Sequence, residues 1–69
     1  MTLLLAGLLL QATGACDQKA GAAATELGWE AYRRGAIAEA ATRFAAADSA
    51  CPAFPGAQAG LGFVRLRQG

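Results

Sequence analysis

Two nine-residue stretches of this chain are variants of one another. Leu27–Gly35 reads LGWEAYRRG and Leu61–Gly69 reads LGFVRLRQG, offset by 34 residues. The residues are identical at Leu27/Leu61, Gly28/Gly62, Arg33/Arg67 and Gly35/Gly69, and Trp29 answers Phe63 as a second aromatic. Self-similarity at such a period marks a stacked array, in which a single unit cannot bury its own apolar face and about three units are normally needed. Residues 21–69 hold roughly one and a half periods. The expectation is a piece of a longer array or a truncated reading frame, and in isolation a marginal three-helix hairpin with exposed apolar surface.

The local pattern is helical throughout, so the expected fold class is all-α. Alanine is the commonest apolar residue and aromatics make up only 7% of the chain. Alanine favours helix but buries little area, so the core should be closely packed and thin. Thr25 to Arg34 has no breaker except Gly28, and Gly35 can take the left-handed conformation that ends a helix. Ala36 to Ala50 runs without Gly or Pro, and Ile37, Ala40, Ala41, Phe44 and Ala47 recur at spacings of three and four on one face. Glu39–Arg43 is expected as an i,i+4 pair, and Glu30 can reach Arg33 or Arg34. Pro52 and Pro55 should stop the second helix and delay a third, expected over Gln58–Gln68. Helix, short turn, helix implies antiparallel neighbours.

The period and its residues resemble the tetratricopeptide repeat (TPR), whose signature places Leu-Gly, then Ala-x3-Phe, then Pro over ~34 residues. Those positions are Leu27-Gly28, Ala40 to Phe44, and Pro52, with Gly35 at the turn between helices and Ala47 at the small packing position of the second helix. The resemblance implies one repeat over 21–54 and the first helix of a truncated second repeat over 55–69, with Leu61-Gly62 as its Leu-Gly. Ala24 and Ala31 stand where the family commonly has Trp and Tyr, which implies a thinned core. In that family the first helices line a concave groove that holds a segment of another protein. Its groove positions fall here on Ala22, Thr25, Trp29, Tyr32 and Arg33, and on Gly56, Ala59, Phe63, Leu66 and Arg67. Trp29, Tyr32, Arg33, Phe63, Leu66 and Arg67 are therefore the expected partner-binding residues. Trp29, Tyr32 and Arg33 share a helical face through their i, i+3, i+4 spacing. Aromatic and arginine side chains suit a binding hot spot, and Arg33 and Arg67 would favour a carboxylate on the partner. The competing expectation is that Trp29 and Tyr32 serve packing alone.

The N-terminus carries an address. Leu3–Leu10 is apolar but too short to span a bilayer, and suits the core of a signal peptide over 1–15, expected as a signal helix. Gly14-Ala15-Cys16 resembles a bacterial lipobox, departing from it at Thr13 and in the absence of Lys or Arg at Met1-Thr2. The resemblance implies lipidation of Cys16, anchorage to a membrane and a place in the cell envelope or periplasm. The alternatives are ordinary signal cleavage near Ala15, or an apolar N-terminal helix with a chance cysteine. Residues 16–20 would form a tether, part of a small, polar run extending to Ala24. Cys51 is expected as a small buried residue at the turn before Pro52. It is an unpaired thiol if Cys16 is lipidated, and a partner for Cys16 if Cys16 stays free in the mature chain.

Catalytic chemistry is not indicated. The chain has no histidine, a single serine without a base beside it, and two cysteines that make no zinc site. All eleven charged residues follow Cys16, interspersed in sign with a net charge of +1, so nucleic acid is not an expected partner. No cofactor or metal is implied. The expected function is a non-enzymatic adaptor that binds a protein or peptide segment, with further repeats needed for a stable fold. The alternatives are the N-terminal piece of a larger exported enzyme, or a gene fragment without function.

Overall fold

A computed structural model describes residues 16–69, and these are all-helical, with no strand among the described residues. The signal segment expected over 1–15 lies outside the described residues. The helices are α1 (Gln18–Arg33), α2 (Ile37–Ala50) and α3 (Pro55–Gln68).

Helix α1 starts where a tether was expected. The Asp17 carboxylate accepts a hydrogen bond from the Ala20 N–H at 2.9 Å, capping the first turn. The alanines at 20 and 22–24 then propagate the helix with minimal entropic cost. The Asp17 N–H also donates to the Ala50 carbonyl at 3.0 Å, which ties the start of α1 to the end of α2 and makes the two antiparallel. Helix α1 ends in a Schellman turn. Gly35 N–H donates to Tyr32 O and Ala36 N–H to Ala31 O, with Gly35 at φ +80°. Glu39 does not pair with Arg43, and Arg34 is not drawn to Glu30. Glu39 meets Arg34 across this turn at 2.7 Å, an exposed pair worth about 0.2–1 kcal/mol.

The turn into α3 depends on one carboxylate. Ala53 has φ +62°, a left-handed conformation that costs a non-glycine residue about 1 kcal/mol or more. Asp48 Oδ1 holds it there by accepting from the Ala53 N–H at 3.1 Å and from Gln58 Nε2 at 2.8 Å. Pro55 does not delay α3 but opens it, at a first-turn position where its missing N–H needs no partner. Helix α3 runs parallel to α1: a Cβ on Gly56 would touch Thr25, Phe63 faces Trp29, and Arg67 lies over Tyr32.

The core is the expected face of α2, closed from both sides. Ala40, Phe44 and Ala47 are buried, with Ile37 and Ala41 half-buried around them. Phe44 is fully enclosed, together with Ala31 of α1 and Val64 of α3. A Cβ on Gly28 would stand 2.6 Å from the Phe44 ring, and one on Gly60 closer still. At Gly62, the residue paired with Gly28 by the 34-residue period, a Cβ would meet nothing within 4 Å.

This contrast sets the first expectation. Gly28→Ala forces an enclosed ring to move, an overpacking cost of about 1–3 kcal/mol that exceeds the ~1 kcal/mol gained in helix propensity. Gly62→Ala keeps the gain without the clash and should be more stable than the parent. Urea unfolding of the full chain, followed by circular dichroism, reads both signs. Asp48→Ala should lose about 1–2 kcal/mol in the same assay, and Ala53→Gly in that background should recover part of it.

Candidate functional site

The expected partner-binding residues divide into two groups. Trp29, Tyr32, Phe63 and Arg67 come together. The Trp29 ring lies 4.9 Å from Phe44, 5.6 Å from Tyr32 and 5.7 Å from Phe63 between centroids, each pair edge-to-face. Tyr32 and Phe63 are 6.4 Å apart, and the Arg67 guanidinium sits 5.2 Å from the Tyr32 ring centre. Edge-to-face pairs of this kind contribute about 0.5–1.5 kcal/mol each, and an exposed cation–π contact about 0.5–1 kcal/mol. Arg33 and Leu66 are exposed, and neither takes part in these contacts.

The packing expected of Trp29 is present in this geometry. Trp29 is half-buried and packs its edge on Phe44, so it roofs the core that Ala24 and Ala31 leave thin. Its other neighbours, Tyr32 and Phe63, continue outward to the surface, where Phe63 is 51% exposed. The result is an aromatic ridge between α1 and α3, rooted in the core and open at its rim. Of the other groove positions, Thr25 is buried and donates its hydroxyl to the Gly21 carbonyl at 2.8 Å, so it faces inward and offers a partner nothing. Ala22 and Ala59 are exposed, and Gly56 is half-buried against the ring of Phe54.

The ridge is electropositive at its edge. Arg33 ends α1 and Arg67 lies in the last turn of α3, which carries no acidic residue; Arg65, two residues from Phe63, lies on the other side of that helix. Among the described residues the only ion pair is Arg34–Glu39, so these three arginines have no carboxylate partner there.

Of the two states expected of Cys16, the structure holds the bridged one. Cys16 forms a disulfide with Cys51, their Cα atoms 4.4 Å apart. Cys51 is buried, as expected for the turn, while Cys16 lies on the surface. One sulfur cannot hold both a thioether to lipid and a disulfide, so lipidated Cys16 and bridged Cys16 are alternative covalent states. The bridge sits beside the Asp17–Ala50 hydrogen bond and clamps the open end of the α1–α2 hairpin. No periodicity in the sequence reveals it. The signal lies in the 35-residue separation, which takes the chain up one helix and back down the next to the same end.

In comparison with known proteins, no family model matches the chain, and no curated protein or solved structure is significantly similar to it.

On the chain-entropy account, a bridge closing a loop of this size contributes about 4 kcal/mol. Cys16→Ser should therefore lower the urea midpoint sharply. Added dithiothreitol should bring the parent to the same midpoint while leaving the variant unchanged.

Proposed function

We propose that the chain is a non-enzymatic protein-interaction module, built on TPR-like repeats and exported to the bacterial cell envelope. It takes a partner segment along the ridge between α1 and α3. The observation that carries the reading is the half-open cluster of Trp29, Tyr32 and Phe63, edged by Arg33 and Arg67 without carboxylate partners among the described residues. Aromatic and arginine anchors of this kind dominate binding energies when a partner desolvates them. The partner segment that fits is apolar and carries a carboxylate, with Leu66 widening the contact.

Export is supported by the apolar run Leu3–Leu10 and by the disulfide, which persists in an oxidising compartment such as the periplasm. Bridged Cys16 is the state favoured for the folded module. A second reading, lipidation at Cys16, rests on Gly14-Ala15-Cys16, and it leaves Cys51 as a free thiol. The intact mass of the protein purified from cell envelopes separates the two. A diacylglyceryl adduct with one free thiol supports the anchor, and an unadducted chain without free thiol supports the bridge.

The binding function is tested with a peptide library displayed on phage and the full chain as bait. Trp29 is the sole tryptophan, so its fluorescence reports binding at the ridge. Enriched peptides should combine apolar residues with Asp, Glu or a free C-terminus. Phe63→Ala with Arg67→Ala should weaken them at least tenfold, at a cost of about 1.5–4 kcal/mol of stability. Absence of enrichment, or affinity that survives the double variant, overturns the proposal.

A further inference from the structure

The Cys16–Cys51 bridge lies toward one end of α1 and the ridge toward the other, and α3 connects the two. Cys51 caps α2, and only Pro52, Ala53 and Phe54 separate it from α3. Bridging Cys51 to Cys16 therefore holds this turn against the start of α1. Gly21 marks how close the approach is. A Cβ there would stand 3.3 Å from the Phe54 ring and 3.5 Å from the Cys51 Cβ. The same ring lies against Gly56, where a Cβ would also meet Thr25 at 3.1 Å. Phe54 thus passes the position of the bridged turn to the first turn of α3.

Helix α3 has little hold of its own. Gly56, Gly60 and Gly62 each lower its helix propensity, and its N-cap residue, Phe54, supplies no side-chain hydrogen bond. Its register on α1 is set at the start by the turn and at the far end by Phe63 and Arg67. Opening the bridge frees the turn and lifts the loop constraint that favours the closed hairpin. The ridge needs rings from both α1 and α3, so it depends on that register. The bridge is also open to exchange. Cys16 is exposed whereas Cys51 is 6% exposed, so an incoming thiolate reaches the Cys16 sulfur. Exposed bridges are characteristically the labile ones.

We propose that the Cys16–Cys51 bridge is a redox switch for the ridge; the proposal rests on the ridge being the binding site. The reductant is a dithiol. One of its thiolates attacks Cys16 Sγ, the Sγ–Sγ bond breaks, and the electron pair leaves on Cys51 Sγ, which takes up a proton. The second thiol of the reductant then displaces Cys16 as a thiol, and the dithiol departs as its own disulfide. Two electrons and two protons have passed to the chain. α3 then loses its register on α1 and the ridge comes apart. Exchange with an oxidised disulfide reverses the step.

The test uses the isotope-labelled full chain and dithiothreitol. In the oxidised chain, nuclear Overhauser contacts should join the Trp29 and Phe63 rings. Reduction should abolish them, and oxidised glutathione should restore them. The double variant Cys16→Ser, Cys51→Ser should lack them with or without dithiothreitol. Kinetics separate a switch from a structural staple. A tenfold rise in dithiothreitol should shorten the half-time of reduction tenfold, because attack occurs on the folded protein. Glutathione trapped by acid during the exchange should be found on Cys16. Peptides enriched on the oxidised chain should bind at least tenfold more weakly after reduction. The proposal is overturned by ring contacts that survive full reduction or the double substitution, by a reduction rate that plateaus at the rate of global unfolding, or by a glutathione adduct on Cys51. If no peptide is enriched, the ridge falls as a binding site, and the ring contacts still decide whether the bridge controls its assembly.

Discussion

The ring of Phe44 occupies a slot that exists because Gly28 and Gly60 have no side chains. Without it, two alanine-rich helices and a third rich in glycine would meet through methyl groups and bare backbone, and little area would be buried where they cross. With it, one aromatic side chain of α2 touches the backbones of both α1 and α3, so a single residue sets the spacing of all three helices. Phe54 repeats the device at the other end, its ring lying against Gly21 of α1 and Gly56 of α3. Two phenylalanines and four glycines thus do most of what a larger apolar core would do in a longer domain. Tolerance is low as a consequence, since a ring held between two backbones has nowhere to relax.

The same economy shapes the surface. Ala31 is too small to fill the space beside Phe44, so Trp29 leans over it and meets Tyr32 and Phe63 in an edge-to-face cluster. Packing and presentation are therefore not alternatives for these side chains. The inner edge of Trp29 belongs to the core, and the outer edge of Phe63 belongs to the surface. Trp29 rests directly on Phe44, so a load on the ridge passes to the packing of all three helices.

Much of the fold was legible because its logic is periodic. Ile37, Ala40, Ala41, Phe44 and Ala47 mark one helical face, and Gly35 marks the turn, whatever the rest of the chain does. The features that were not legible are those that cross between elements. Glu39 reaches Arg34 over a turn rather than Arg43 along its own helix. Asp48 holds a left-handed alanine five residues on. Gly60 lies outside the self-similar stretch, which draws attention to Gly62 instead, yet Gly60 is the α3 glycine that receives Phe44. The start of α1 was obscured because small, polar residues read alike as tether or as capped helix, and the Asp17 cap with its tie to Ala50 decides it. The ridge was legible as a set of spaced aromatics, whereas the rooting of Trp29 on Phe44 was not, since no spacing within one helix encodes the approach of another.

The bridge between Cys16 and Cys51 has a mechanical consequence. It closes α1, the Schellman turn and α2 into one covalent ring, and α3 leaves that ring at Cys51. Tension applied at Cys16 and at the C-terminal end passes from sulfur to sulfur and bypasses both helices inside the ring. The load falls on residues 51–54 and on α3, which holds to the ring through Phe44, the Asp48–Gln58 hydrogen bond and the contacts of Phe63 and Arg67 with Trp29 and Tyr32. Under pulling, α3 is the part that yields, stripping the Phe63 side from the ridge while the closed hairpin keeps Trp29 and Tyr32 in place. A molecule loaded this way would open its aromatic ridge under strain well before it lost the ring.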